Sequence, residues 1–81
     1  MEPVTVQPDR LLDARSLSCP LPVLKTSKEM SRLQPGEVLK VMASDRGASS
    51  DIPAWAEMTG HEVVSRGEED GAVVIYIRKC A

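Results

Sequence analysis

Two prolines set two residues apart, Pro20 and Pro22, restrict this chain more than any other feature. They sit in SLSCPLPVLKTSKEM, Ser16 to Met30, directly after Cys19. Proline lacks a backbone N–H and its ring clashes with the turn before it, so it breaks a helix interior. In a first turn the N–H groups have no intrahelical acceptor, and the fixed φ of proline favours helical entry. The pair therefore predicts a helix starting here, with Cys19 as N-cap, Pro20 at N1, Leu21 at N2 and Pro22 at N3. The amides left at its mouth are those of Leu21 and Val23. A sulfur at the N-cap can accept from the Leu21 amide, and the helix dipole adds about half a positive charge at that end. Both effects favour thiolate over thiol, and helix N-termini are a common setting for reactive cysteines. A plainer account has Cys19 as a small buried hydrophobe beside a proline-shaped turn. Against it, cysteine caps less well than serine, and Ser16 and Ser18 stand close by. The pattern by itself leaves both accounts open.

The rest of the chain reads as one small domain, residues 1–81, with residues 1–8 as a loosely attached leader. A short strand is expected over Arg10–Ala14. The first helix should bury Val23, Ser27, Met30 and Leu33 or Gln34, with Leu24 widening that stripe. Lys25, Lys28, Glu29 and Arg32 fall on its opposite side, and Gln34–Gly36 (QPG) stops it. Glu37–Ser44 is the next strand, burying Leu39, Val41 and Ala43 on one face. A polar loop leads into a second helix, DIPAWAEMTG, with Asp51 as N-cap, Pro53 in its first turn and Gly60 at its end. His61–Arg66 forms a third strand, Gly67–Gly71 a turn, and Ala72–Lys79 the fourth strand. The order β-α-β-α-β-β implies an α/β two-layer sandwich: a mixed four-stranded sheet with both helices on one face.

Composition narrows the function. Among 81 residues there is one Trp, one Tyr and no Phe, so the core must be aliphatic. The formal net charge of −2 argues against direct nucleic-acid binding. No apolar run is long enough to span a bilayer, and MEPVTVQPDR has neither the basic start nor the apolar run of a signal peptide. A cytoplasmic protein with reduced thiols is expected. The cysteines, Cys19 and Cys80, lie too far apart in sequence for a CxxC metal or redox motif.

The segment LDARSLSCPLPVLK, with LQPGEVLKVMASD, SSDIPAWAEMTGHEVV and YIRK farther on, resembles the TusA-like (SirA-like) sulfur-carrier family, marked by Cys-Pro-X-Pro at the start of the first helix. The resemblance covers nearly all of the chain from Leu11 onward. It implies the same two-layer sandwich and a Cys19 that carries sulfur as a persulfide. It also implies a donor, a cysteine desulfurase or a rhodanese, and a downstream acceptor protein. Relays of this kind serve transfer-RNA thiolation, sulfur supply to cofactor synthesis, and sulfur oxidation. Three positions depart from the family pattern: Ser16 for glycine, Ser18 for a basic residue and Leu21 for glutamate. They make the surface beside Cys19 more apolar and bear on which partners dock there.

On this reading Cys19 is the reacting group, Pro20, Leu21 and Pro22 position it, and no cofactor or metal is needed. Cys80 is a candidate second thiol, although a tail cysteine without a role is the simpler account. His61, after a helix-stopping glycine, is expected in a turn or at the start of the third strand. Lys25, Lys28 and Arg32 could offer a docking face to an acidic partner or simply be solvated. Asp45, Arg46 and Asp51 could shape the loop near the sulfur, and Trp55 belongs to the core. Two competing functions remain open: a thiol redox switch through a Cys19–Cys80 disulfide, and a non-catalytic regulatory module that binds through the first helix. A monomer is expected, with the hairpin edge as the place where a weak dimer would form.

Overall fold

Period-two alternation in four apolar stretches and helical spacing in two others yield six elements in the computed structural model, which describes residues 7–18 and 20–80. They are β1 (Arg10–Ala14), α1 (Leu21–Met30), β2 (Val38–Ala43), α2 (Ala48–Met58), β3 (Glu62–Glu69) and β4 (Ala72–Arg78). The sheet order is β1-β2-β4-β3. β1 pairs parallel with β2, and β4 pairs antiparallel with both of its neighbours. The crossovers β1-α1-β2 and β2-α2-β3 both join parallel strands and step in the same direction across the sheet. Crossovers of one hand then place both helices on one face. The mixed sheet with one helical layer expected from the sequence is the fold that forms.

The core lies between the layers. Leu39, Val41 and Ala43 of β2 and Ile75 and Ile77 of β4 meet Met30 and Leu33 from the α1 side and Ala48, Ile52 and Ala56 of α2. Leu12, Val23, Trp55, Val63 and Val73 close its margins. β2 and β4 are central, so their helix-facing side chains are shielded by neighbouring strands as well as by helices.

Two boundaries differ by several residues from the sequence reading. α2 begins at Ala48 with Gly47 at its N-cap, not at Asp51. The amides of Ala48, Ser49 and Ser50 donate to the carbonyls of Asp45, Arg46 and Gly47, a tight three-residue entry that the Asp51-to-Gly47 bond converts to α-helix. Ala48 is fully buried, and this earlier turn is what inserts it into the core. Pro53 consequently lies inside the helix. The second difference is β3, which runs on to Glu69 because Arg66–Glu69 keep pairing with β4. The turn shrinks to Asp70 and Gly71, with φ of 51° and 79°. Two positive φ values with Asp-Gly make the type I′ hairpin turn, whose twist suits the flanking strands. A register shift between Val63 and Ser65 leaves Val64 as a bulge on this edge strand. Among the described residues, no helix is long and apolar enough to cross a membrane.

Truncating the centre of this core tests it. Leu39 is fully buried between the layers, and Leu39→Ala is expected to lower unfolding free energy by about 2–5 kcal/mol, read from urea denaturation.

Candidate functional site

The start of α1 is built by three successive backbone bonds at the C-terminal end of β1. The Leu17 amide donates to the Ala14 carbonyl at 3.1 Å, the Leu21 amide to Ser18 at 2.9 Å, and the Leu24 amide to Pro20 at 3.1 Å. The chain therefore turns at Ser18 and becomes helical at Leu21. Pro20 occupies the N-cap, with φ −96°, and Pro22 the N2 position. This shifts the expected register by one residue, since the sequence reading had Cys19 as N-cap, Pro20 at N1 and Pro22 at N3. The reason is the turn bond: the Leu21 amide, expected to face the sulfur, is already engaged by the Ser18 carbonyl. Both prolines still fall where a missing N–H costs little. Cys19 itself lies outside the described residues. The residues joined to it, Ser18 and Pro20, are exposed, as is Leu21.

Burial explains how α1 is seated. Its buried line is Pro22, Thr26 and Met30, continued by Leu33 after the helix. The sequence reading had Met30 and Leu33 in that role, as found, but with Val23, Ser27 and Leu24 in place of Pro22 and Thr26. In the structure Val23 and Ser27 sit at the margin and Leu24 is 58% exposed. Thr26 resolves the difference. Its hydroxyl donates to the Pro22 carbonyl at 2.7 Å, so its polar atom is satisfied inside the helix and its methyl packs inward. Reading threonine as polar hides this stripe. The consequence missed in the sequence is that Leu21, 44% exposed, and Leu24 stand out in solvent beside the Cys-Pro-Leu-Pro turn.

The start of α2 shares this edge of the sheet. β1 and β2 run parallel, so both helices begin beyond the same ends, and the Ser44 hydroxyl donates to the Arg15 carbonyl between the two loops. The loop candidates Asp45, Arg46 and Asp51 are brought here. Gly47 is packed close to both acids: a Cβ there would stand 3.0 Å from the Asp45 carboxylate and 3.5 Å from that of Asp51. Asp51 is an interior residue of the first turns of α2 and not its cap, and it still lies at the positive end of the helix. Nearby, Arg15 grips Asp13 through two side-chain bonds of 2.9 and 2.8 Å. That guanidinium holds the Asp13 carboxyl at about 2, below its ordinary 3.8. Arg15 also feels Asp70 on the hairpin turn, which closes the same edge.

Cys80 belongs to the opposite edge. Its amide approaches His61 Nδ1 at 3.4 Å, and the adjoining Lys79 reaches the Leu33 carbonyl beyond the far end of α1 at 2.7 Å. Cys80 is a free, exposed thiol. The ten residues of α1 separate the two edges, a length of about 15 Å. A disulfide needs Cα atoms within about 7 Å, so the distance from Cys80 to the turn bounded by Ser18 and Pro20 disfavours the alternative of a Cys19–Cys80 bridge. His61 follows Gly60 in the turn after α2, as expected, and its ring lies 5.6 Å from that of Trp55. Burial, and secondarily the nearby Lys79 charge, holds His61 below its ordinary pKa.

Comparison with known proteins places this geometry in context. The family model described as Sulfurtransferase TusA matches residues 10–79. The chain is 41% identical over 71 residues to the sulfur carrier protein TusA of Allochromatium vinosum, covering 88% of this chain and 93% of that one. It is 42% identical over 73 residues to the TusA of Pseudomonas paraeruginosa, covering 90% and 92% respectively. In two longer curated relatives the matching stretch makes up 39% and 37% of their length. The crystal structure of a SirA-like protein from Desulfitobacterium hafniense superposes with a TM-score of 0.78 over 89% of this chain and 99% of that one; at 24% identity it speaks for the fold.

Two outcomes follow from the far edge. Mild oxidation of the monomer should produce no intramolecular loss of two hydrogens in intact-mass spectra, and Cys80→Ala should respond as the parent does. The unfolded chain binds a proton at His61 near pH 6.5, whereas the folded one resists it. Stability from the neutral ring is therefore present above that value and falls as pH drops through the lowered folded value. His61→Gln should flatten the acid side of the stability profile below about pH 6.5, measured by urea denaturation.

Proposed function

Because the chain belongs to the TusA family of sulfurtransferases, we propose that it is a sulfur carrier that holds sulfane sulfur as a persulfide on Cys19 and passes it to a partner protein. The observation that carries this reading is the open start of α1, where Ser18, Pro20 and Leu21 are all exposed around position 19. A thiol held there meets partners without a conformational change. The positive end of the helix lowers the pKa of a nearby thiol and enlarges its thiolate fraction. Pro20 and Pro22 limit the backbone freedom of the turn and so preserve its aim.

The chemistry is an exchange at sulfur. The Cys19 thiolate attacks the outer sulfur of a donor persulfide, R–S–SH. A sulfur–sulfur bond forms to Cys19, the donor's bond breaks, and the donor cysteine leaves as a thiolate with the electron pair. One thiolate is consumed and one is released, so the step needs no oxidant or reductant. An acceptor thiolate then attacks the outer sulfur of the Cys19 persulfide, and Cys19 leaves as the thiolate that began the cycle. Pro20, Leu21 and Pro22 take no part in bond changes and act by positioning.

The donor is proposed to be a cysteine desulfurase or a rhodanese, and the acceptor a second protein in a relay serving transfer-RNA thiolation, cofactor synthesis or sulfur oxidation. The acidic balance of the chain, net −2, supports hand-over to a protein in preference to direct contact with RNA. Loading needs Cys19 as a free thiol, and cytosolic thiols stay reduced, so a cytoplasmic setting suits the carrier reading.

Incubation with a cysteine desulfurase and free cysteine, followed by intact-mass spectrometry, tests the reading. The protein should gain the mass of one sulfur atom, and Cys19→Ser should gain none while Cys80→Ala gains as much as the parent. An adduct that persists in Cys19→Ser would sink the proposal.

A further inference from the structure

We propose that the outward stripe of α1, Leu21, Leu24, Lys25 and Lys28, is the docking strip for sulfur-exchanging proteins, and that it fits partners whose own thiol sits beside an apolar socket with carboxylates farther out. This rests on the carrier reading and adds to it the chemistry of the partner surface.

The four residues recur at i, i+3, i+4 and i+7, which is one side of a helix. The buried line runs through Pro22, Thr26 and Met30, so this side faces solvent. Leu21 and Leu24, 44% and 58% exposed, contribute nothing to the core that their exposure would explain. They form the part of the stripe nearest position 19. The lysines continue it away from that end. No ion pair among the described residues engages Lys25 or Lys28. The one carboxylate on α1, Glu29, is committed elsewhere, to Arg10 at 2.9 Å and Arg32 at 3.3 Å. An uncompensated cationic stripe on a chain of net charge −2 is a local asymmetry that selects an acidic counterpart.

The order of the stripe suits the reaction. A carboxylate beside an exchanging sulfur would raise its pKa and suppress the thiolate. Leucine at positions 21 and 24 lets the partner surround the sulfur with apolar groups. The acidic contacts then fall at the lysines, about 6 Å from Leu24 at Lys28 by helical rise.

The test compares two ways of loading Cys19, read by intact mass against time. One uses inorganic polysulfide, which needs no docking. The other uses a persulfidated cysteine desulfurase, with thiosulfate-charged rhodanese as a second donor. Leu24→Asp and the pair Lys25→Glu/Lys28→Glu are compared with the parent and with Leu11→Asp, a control at an equally exposed leucine on the helix-free face of the sheet. Polysulfide should load all four proteins alike. Loading by protein donors should fall about tenfold or more in Leu24→Asp. It should fall about tenfold in the double lysine variant at low ionic strength, with the gap narrowing in concentrated salt. Leu11→Asp should match the parent. Transfer within about twofold of the parent in both stripe variants overturns the docking strip. So does an equal loss with polysulfide, which would mean altered thiol reactivity, or a parent that polysulfide loads and neither protein donor does. Concentration-dependent dimerisation abolished by Leu24→Asp would assign the strip to a second copy instead. A parent that no donor loads, polysulfide included, removes the carrier reading itself.

Discussion

The apolar face shared by β2 and β4 is what the remaining structure rests on. Leu39, Val41, Ile75 and Ile77 are essentially inaccessible to solvent there, each worth about 1.5–3 kcal/mol in burial. Both helices are held by docking onto this face, because neither is long enough to be stable alone in water. With only one Trp and one Tyr in the chain, the contact is nearly all aliphatic, and small residues such as Ala43, Ala48 and Ala56 let the layers approach closely. The opposite face of the sheet carries no helix and is more polar, with Lys40 paired to Glu69 and lying over the Tyr76 ring.

From that packing the site follows. Two parallel crossovers of one hand force α1 and α2 to begin beyond the same sheet edge, where backbone amides and helix dipoles converge. Grooves outside the carboxyl ends of parallel strands are a recurring place for function in open α/β sheets. Here that edge carries the Cys-Pro-Leu-Pro turn, the α2 entry at Gly47 and the hairpin turn at Asp70–Gly71. The same rule sends the C-terminal segment to the other edge, where Cys80 meets His61 and Lys79 ties down the chain after α1. Cys80 and the turn bounded by Ser18 and Pro20 thus lie at opposite ends of the helical layer because of strand direction.

Charge is distributed unevenly over α1. Arg10 and Arg32 share the one carboxylate of Glu29, which leaves that cluster a single positive charge in excess. Lys25 and Lys28 remain beyond that cluster. Ion pairs as exposed as these add little to stability, so their arrangement matters chiefly for what approaches the surface. Leu21 acts in the same direction: an apolar side chain at the opening of α1 brings no negative charge to that end of the helix.

The strand content, the hairpin and the βαβ order were legible in the sequence because alternation in β2 and β4 and the Asp-Gly turn are local signals. Strand β1 came out at Arg10–Ala14 as expected. The start of α2 did not, since burying Ala48 against residues distant in sequence added a turn before Asp51 that no local cap announces. The face of α1 was misread by one step, because Thr26 is polar by type and apolar in effect once its hydroxyl finds the Pro22 carbonyl. The candidate site divides in the same way. Sequence by itself determined that a cysteine precedes two prolines, and that those prolines belong to the opening of a helix, since only a first turn tolerates the missing N–H groups. Tertiary structure alone decided that Leu21 and Leu24 face solvent and that Cys80 stands an α1 length away, because rotation of a helix and the direction of a strand are set by what each buries against the sheet.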